Sequence, residues 1–202
     1  MFKTHFRQMV IATVLMGSLG GCAVGVIGGA TALASVADRR SAGSQADDQI
    51  MELQIKAKAS STLRKNNTSN FKPSLSVVSY NRHVLLLGVV ASEADRQMAE
   101  QIARAERSAQ AVYNHITVVD SGRTLTNISN DTLITSRVRT SLLNLDGVYP
   151  GHVKVVTFNG ITYVMGLLTP TQQELVNQRI STTSGVQRVV TLYENYVEPV
   201  TN

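Results

Sequence analysis

The chain is expected to adopt an α+β fold of two tandem domains. Each should run helix, strand, strand, helix, strand, giving a small three-stranded mixed sheet packed by two helices. Three observations predict this. The body repeats itself: Leu75-Ser-Val-Val-Ser-Tyr-Asn-Arg-His-Val-Leu-Leu-Leu-Gly88 is echoed by Val153-Lys-Val-Val-Thr-Phe-Asn-Gly-Ile-Thr-Tyr-Val-Met-Gly166, with Asn81 matching Asn159 and Gly88 matching Gly166 at an offset of 78. In each copy two strand-like runs flank Asn-Arg or Asn-Gly, a hairpin signal because both central positions of the tight turn need positive φ. Helix start signals stand before and after each hairpin.

The elements follow in order. Asp47-Asp48 is expected to cap a helix over Gln49 to Leu63, ahead of the first hairpin. Ser92, with Asp95 three residues on, opens the next helix, whose inner face is Met98, Ala99, Ile102 and Ala103. A strand over Gln110 to Val118 closes the unit. In the second copy Asn130-Asp131 is expected to cap Thr132 to Leu143. Thr169-Pro170, with Gln172 completing a capping box, opens a helix whose inner face is Leu175, Val176 and Ile180. Val186 to Val197 is the closing strand. The expected domains are therefore 47–119 and 130–197, joined by a linker over 120–129 and followed by a loose tail, 198–202. Units this small have modest stability alone, so packing against each other or against a partner is expected.

A hydrophobic content of 43% without tryptophan implies aliphatic cores. The charge balance is 19 Lys+Arg against 14 Asp+Glu. Lys3 and Arg7 lie in a segment expected to be removed, which leaves 17 against 14 and a net charge of +3. That surplus is small and no dense basic run with interleaved aromatics is present, so nucleic acid is not an expected partner. A mildly cationic surface does suit an anionic membrane.

The N-terminus explains the single cysteine. Lys3 and Arg7 precede an apolar run of about 11 residues, Met9 to Leu19, within the roughly 7–15 of a signal peptide's core and short of the about 20 a spanning helix needs. The run ends at Leu19-Gly20-Gly21-Cys22, which resembles the bacterial lipobox. Residues 1–21 are thus expected to be a signal peptide and Cys22 the acylated first residue of the mature chain. Each buried methylene of an acyl chain contributes about 0.8 kcal/mol, so such a protein is anchored without a transmembrane helix. Residues 22–46 are expected to be a linker, small and apolar up to 37 and polar from Asp38 to Ala46. Ala23 stands where an inner-membrane retention signal would place aspartate, which favours the outer membrane.

The order of elements, with a central glycine ending the second strand, resembles the BON domain. Two copies behind a lipobox are similar to the dual BON-domain outer-membrane lipoproteins (the DolP/YraP family). The pieces that carry the resemblance are Asp38-Arg39-Arg40-Ser-Ala-Gly43, Gln45-Ala-Asp-Asp48, Asn130-Asp131-Thr132, Arg137-Val138-Arg139 and Val164-Met165-Gly166-Leu167. The resemblance implies an outer-membrane protein facing the periplasm and recruited to anionic phospholipid such as phosphatidylglycerol and cardiolipin. It further implies a role in outer-membrane integrity, contact with the outer-membrane protein assembly machinery, and lipid contact through the first helix of the second domain.

That helix has a suitable pattern. On a helical wheel Ile134, Val138 and Leu142 cluster within roughly 80° as a core stripe. Leu133 and Leu143 fall on the opposite side with Ser136 and Thr140 between them, and Arg137 and Arg139 flank that face. The expected phospholipid-binding residues are therefore Leu133, Arg137, Arg139, Thr140 and Leu143. Leucine stands at position 133 where the family often has tryptophan, and it lacks the amphipathic ring that favours the headgroup layer. The same pattern allows a second reading, in which Leu133 and Leu143 pack against the first domain. A protein–protein adaptor role, with this helix as its docking face, is the alternative function.

No catalytic constellation assembles. His83, His115 and His152 stand at no metal-ligand spacing, and the lone cysteine is assigned to acylation. No GxSxG elbow or glycine-rich phosphate loop is present. The expectation is a non-enzymatic protein without cofactor or metal.

Overall fold

Each half of the chain builds the same five elements, and local chemistry sets most of their ends. The first half holds α1 (Ala42–Asn66), β1 (Ser74–Tyr80), β2 (His83–Val90), α2 (Glu93–Arg104) and β3 (Ala111–Val118). The second holds α3 (Leu125–Leu142), a 3₁₀ turn (Pro150–His152), β4 (Val153–Phe158), β5 (Ile161–Leu168), α4 (Pro170–Ser181) and β6 (Arg188–Asn195). The computed structural model describes residues 38–67, 71–120 and 122–198. The expected signal peptide, Cys22 and the apolar part of the linker lie outside the described residues.

The sheets are β1-β2-β3 and β4-β5-β6, each with one antiparallel and one parallel pairing. Asn81, Arg82, Asn159 and Gly160 all have positive φ, as the two-residue hairpins require. Ser92 caps α2, and Thr169 caps α4 in a reciprocal box with Gln172. The repeated glycine has a steric cause. A Cβ on Gly88 would lie 2.3 Å from the Ser74 carbonyl oxygen, and one on Gly166 would lie 2.8 Å from that of His152. Neither glycine ends its strand, for β2 runs on to Val90 and β5 to Leu168.

Three apolar clusters give the layer order. Met51, Ile55, Ala59 and Leu63 of α1 and Ala99 and Ala103 of α2 pack on Val77, Val84, Leu86 and Val90. Ile134, Val138 and Leu142 of α3 and Val176 and Ile180 of α4 pack on Val155, Val164 and Leu168. The third cluster joins the domains through the opposite faces of the two sheets: Val78, Tyr80, Leu85, Leu87 and Val89 meet Phe158, Tyr163 and Met165. The order is helices, sheet, sheet, helices, with both sheets buried on both sides. This is why Val84 to Val90 is a nearly unbroken apolar run, since alternation appears only where one face meets water. The expected packing of the domains on each other is found.

Both opening helices start earlier than expected, and the acids taken for their caps do something else. Ser41 caps α1 and Thr124 caps α3, so residues 42–46 and 125–129 are helix rather than linker. Asp48 is buried and its carboxylate accepts from the backbone N–H groups of Asn81 (2.8 Å) and Arg82 (2.7 Å), the turn of the first hairpin. Ser79 Oγ and Arg40 Nη1 also donate to it, at 2.8 and 3.0 Å. Asp131 does the same in the second domain, accepting from the N–H groups of Asn159 (2.8 Å) and Gly160 (2.9 Å) and pairing with Arg123. Arg40 lies over the Tyr80 ring and Arg123 over Phe158. One buried arginine–aspartate pair therefore locks each hairpin to its opening helix.

The polar connector from Asp38 is also not free chain. Arg39 crosses to the second domain, donating from Nη1 to the Leu167 carbonyl (2.8 Å) and Gln172 Oε1 (2.7 Å), with its guanidinium 3.9 Å from the Tyr196 ring centre. The next residue, Arg40, is held by Asp38 and Asp48 on the first domain. Asp38 to Arg40 thus straps the two domains together. Lys154, which pairs with Glu52 and donates to the Ser79 carbonyl, adds to the same junction. So does the Tyr80 hydroxyl, which donates to the Gly151 carbonyl at 2.8 Å. Burial pushes that hydroxyl well above the ordinary tyrosine range, so it remains a donor.

Candidate functional site

The outer face of α3 is built by the helix's own geometry. Ile134, Val138 and Leu142 point into the core, which turns the residues half a turn away towards solvent. Leu133 is 49% exposed and Leu143 62%. Neither packs against the first domain, which meets the second through the far side of its sheet. The earlier helix start adds two residues the sequence reading placed in a linker: Leu125, 83% exposed, and Ile128, 44%. The signal that could have found them is Thr124 with Asn127 three residues on, which form a reciprocal capping box. At about 1.5 Å per residue the 18 residues of α3 carry this face along about 27 Å.

The expected cations sit at the two edges but differ in freedom. Arg137 is exposed and lies beside Leu133, Asn130 and Gly185. Arg139 is anchored, donating from Nη2 to the Val155 carbonyl at 2.9 Å across the opposite edge. Thr140 and Ser136 stand exposed between the leucines. A further cation escaped the sequence reading: Arg179 of α4 donates to the Ser141 carbonyl at 3.0 Å, at the carbonyl end of α3, where positive charge is favoured. Beside Arg139 the end of α3, the loop to the 3₁₀ turn and β4 enclose a groove of about 350 Å³. Its walls include Leu142, Leu143, Val148, Tyr149 and Val153.

On the opposite outer layer α1 is apolar on both sides. Its buried stripe includes Met51, Ile55 and Ala59, while Ala46, Ile50, Leu53 and Ala57 form an exposed one. Ile50 and Leu53 are at least half exposed.

The histidines do not converge. His83 Nδ1 is 3.6 Å from Glu194, His152 is buried edge-on to Tyr149, and His115 lies edge-on to Tyr163 at 5.0 Å. Desolvation, with Arg188 and Arg96 nearby, holds the His115 pKa below its ordinary value. Among the described residues no group of three or more His, Cys, Asp or Glu gathers as a metal site, and no helix is long and apolar enough to cross a membrane.

Comparison with known proteins fits this architecture. The BON domain matches residues 52–120 and 130–192, one match in each half. The outer membrane lipoprotein DolP of Haemophilus influenzae is 30% identical over 185 residues, covering 90% of this chain and 93% of that protein. The chain belongs to the family of dual BON-domain lipoproteins that includes DolP. A 21 kDa hemolysin of Actinobacillus pleuropneumoniae is also 30% identical, over 164 residues and 80% of each chain. Among solved structures, CdsD of the Chlamydia trachomatis type III secretion system matches at 13% identity and a TM-score of 0.29. That match covers 70% of this chain and 61% of that one. DolP is an outer membrane lipoprotein, and neither it nor the BON domain match indicates a catalytic family.

Proposed function

We propose that this is a non-enzymatic, peripheral membrane-binding lipoprotein of the outer membrane, facing the periplasm. Acylated Cys22 is its first membrane signal and α3 its second, binding anionic phospholipid (phosphatidylglycerol or cardiolipin) and so helping to keep the outer membrane intact. The observation that carries this reading is the exposed side of α3, where Leu125, Leu133 and Leu143 lie along one strip edged by Arg137 and Arg139, with Ile128 just outside the Arg139 edge. A helix of this kind lies in the plane of the interface, its leucines in the acyl boundary and its guanidinium groups on phosphate. Each basic side chain near an anionic surface contributes about 1 kcal/mol. Acylation supplies the rest, because a tether raises the effective concentration at the second site.

The test is charge reversal. Arg137→Glu combined with Arg139→Glu, in the chain without its acyl group, should abolish co-sedimentation with anionic vesicles and leave the circular dichroism spectrum unchanged. Wild-type binding should fall steeply with ionic strength. Unchanged binding by the double variant would rule out α3 as the contact.

One observation favours a second reading, a protein adaptor for the outer-membrane protein assembly machinery. The exposed stripe of Ala46, Ile50, Leu53 and Ala57 lies on the outer layer opposite α3, where a bilayer on α3 would leave it open to the periplasm. Binding through that stripe should persist at high salt and be lost in Leu53→Glu, whereas vesicle binding should be indifferent to the change.

A further inference from the structure

The groove beside Arg139 differs from the flat outer face of α3 in being a container. Leu142 and Leu143 form one wall, Val148, Tyr149 and Pro150 a second, and Val153 with Val155 the floor side. Arg139 and Lys154 also line it. The two cations are not equivalent, because Lys154 is committed to Glu52 and the Ser79 carbonyl. Arg139 spends one Nη2 bond on the Val155 carbonyl, which fixes its guanidinium in place and leaves its other donors available.

The corresponding space in the first domain, at the end of α1, is more polar: Leu63, Phe71, Pro73 and Leu75 share its lining with Ser60, Arg64, Asn67, Lys72 and Ser74. In the second domain the turn after α3 supplies Tyr149 and Pro150. Tyr149 is 55% exposed at the groove, an amphipathic ring of the type that favours the headgroup layer. Position 133 of this chain carries no such ring.

We infer that the groove holds one acyl chain of a single anionic phospholipid, with the lipid's phosphate on Arg139 and its headgroup layer against Tyr149. This rests on the reading of α3 as the lipid face and sharpens it, because Leu143 belongs to both surfaces and makes them continuous. A volume of about 350 Å³ stands at the low end of the roughly 300–1,000 Å³ that ligand pockets span, room for one chain. Apolar walls with a fixed cation at the rim are complementary to a fatty chain ending in a phosphate diester. Membrane binding would then include extraction of one chain from the bilayer plane as well as adsorption of a helix.

The probe is dihexanoylphosphatidylglycerol below its micellar concentration, titrated into the acyl-free chain. Methyl NMR reports on Leu142, Val148, Val153 and Val155, and vesicle sedimentation is measured on the same sample. The expected result is a saturable one-to-one shift at those methyls, about fivefold weaker in Arg139→Gln. Dihexanoylphosphatidylcholine should bind several-fold more weakly, and glycerol phosphate without acyl chains should give no shift at the walls. Sedimentation with anionic vesicles but no saturable shift would overturn the groove and leave the lipid face standing. Loss of both would remove the lipid reading itself. Shifts from glycerol phosphate equal to those from the lipid would mean an anion site, and would also overturn the acyl-chain assignment.

Discussion

Replacing Asp48 by asparagine tests the most unusual structural assignment, that a helix-borne acid secures a hairpin. The side chain is 1% exposed and serves four donors: two turn N–H groups, the Ser79 hydroxyl and the Arg40 guanidinium. Asparagine keeps one acceptor oxygen and turns an NH₂ towards the remaining donors, so at least two of the four lose their acceptor. Each orphaned donor costs about 1–3 kcal/mol, and breaking a buried ion pair costs about 3–5. A net loss of roughly 3–5 kcal/mol follows, or about 6–20 °C in melting temperature for a body of this size. Asp47→Asn is the control. Its carboxylate meets Arg82 at 2.8 Å with a third of the side chain exposed, so its loss should stay below about 1 kcal/mol. Urea unfolding of the acyl-free chain, followed by circular dichroism, measures both. Equal effects for the two variants would refute the hairpin lock and restore both acids to ordinary helix-capping roles.

Two further outcomes concern the domain junction. Arg39→Ala should cost about 2–4 kcal/mol through the lost bonds to Leu167 and Gln172 and the lost stacking on Tyr196. Arg39→Lys should restore only part, since an ammonium cannot reproduce the planar fork; unfolding curves check both, and a wild-type curve for the alanine variant would contradict the strap. The depressed His115 pKa means that the native state favours the neutral ring. The unfolded chain therefore takes up the proton first, and this contribution is complete above the unfolded pKa of about 6.5 and shrinks as pH falls below it. The stability difference between wild type and His115→Gln should accordingly move against the wild type between pH 7.5 and 5.5. A pH-independent difference would contradict the assignment.

The elements legible in the sequence were those whose partners are close along the chain. Ser92 and Thr169 bond groups three residues away, and the Asn81 and Asn159 turns depend on their own φ angles, so local rules located them. Asp48 and Asp131 misled for the same reason, because an acid near a helix start looks like a cap whether or not its partners lie about 30 residues ahead. The repeat held a clue at a second offset: Arg40, Ser41 and Asp48 recur as Arg123, Thr124 and Asp131, which marks the starts of the two opening helices. The strap was invisible, since Arg39 resembles any solvated arginine until a carbonyl 128 positions away is brought to it. For the candidate site, the wheel separated Leu133 and Leu143 from the core stripe, and both are exposed. Leu125 and Ile128 were hidden by the misplaced helix start. The groove could not be read at all, because the loop and β4 that build it meet α3 only in the folded chain.

The proposed function depends above all on the folded body recognising anionic membrane independently of its acyl group. Sedimentation of residues 23–202 with vesicles containing phosphatidylglycerol or cardiolipin, against phosphatidylcholine alone, tests it most directly. Binding to the anionic vesicles is expected, with little to phosphatidylcholine and release as salt rises. No binding to either, or equal binding to both, would contradict it and leave acylation as the membrane signal.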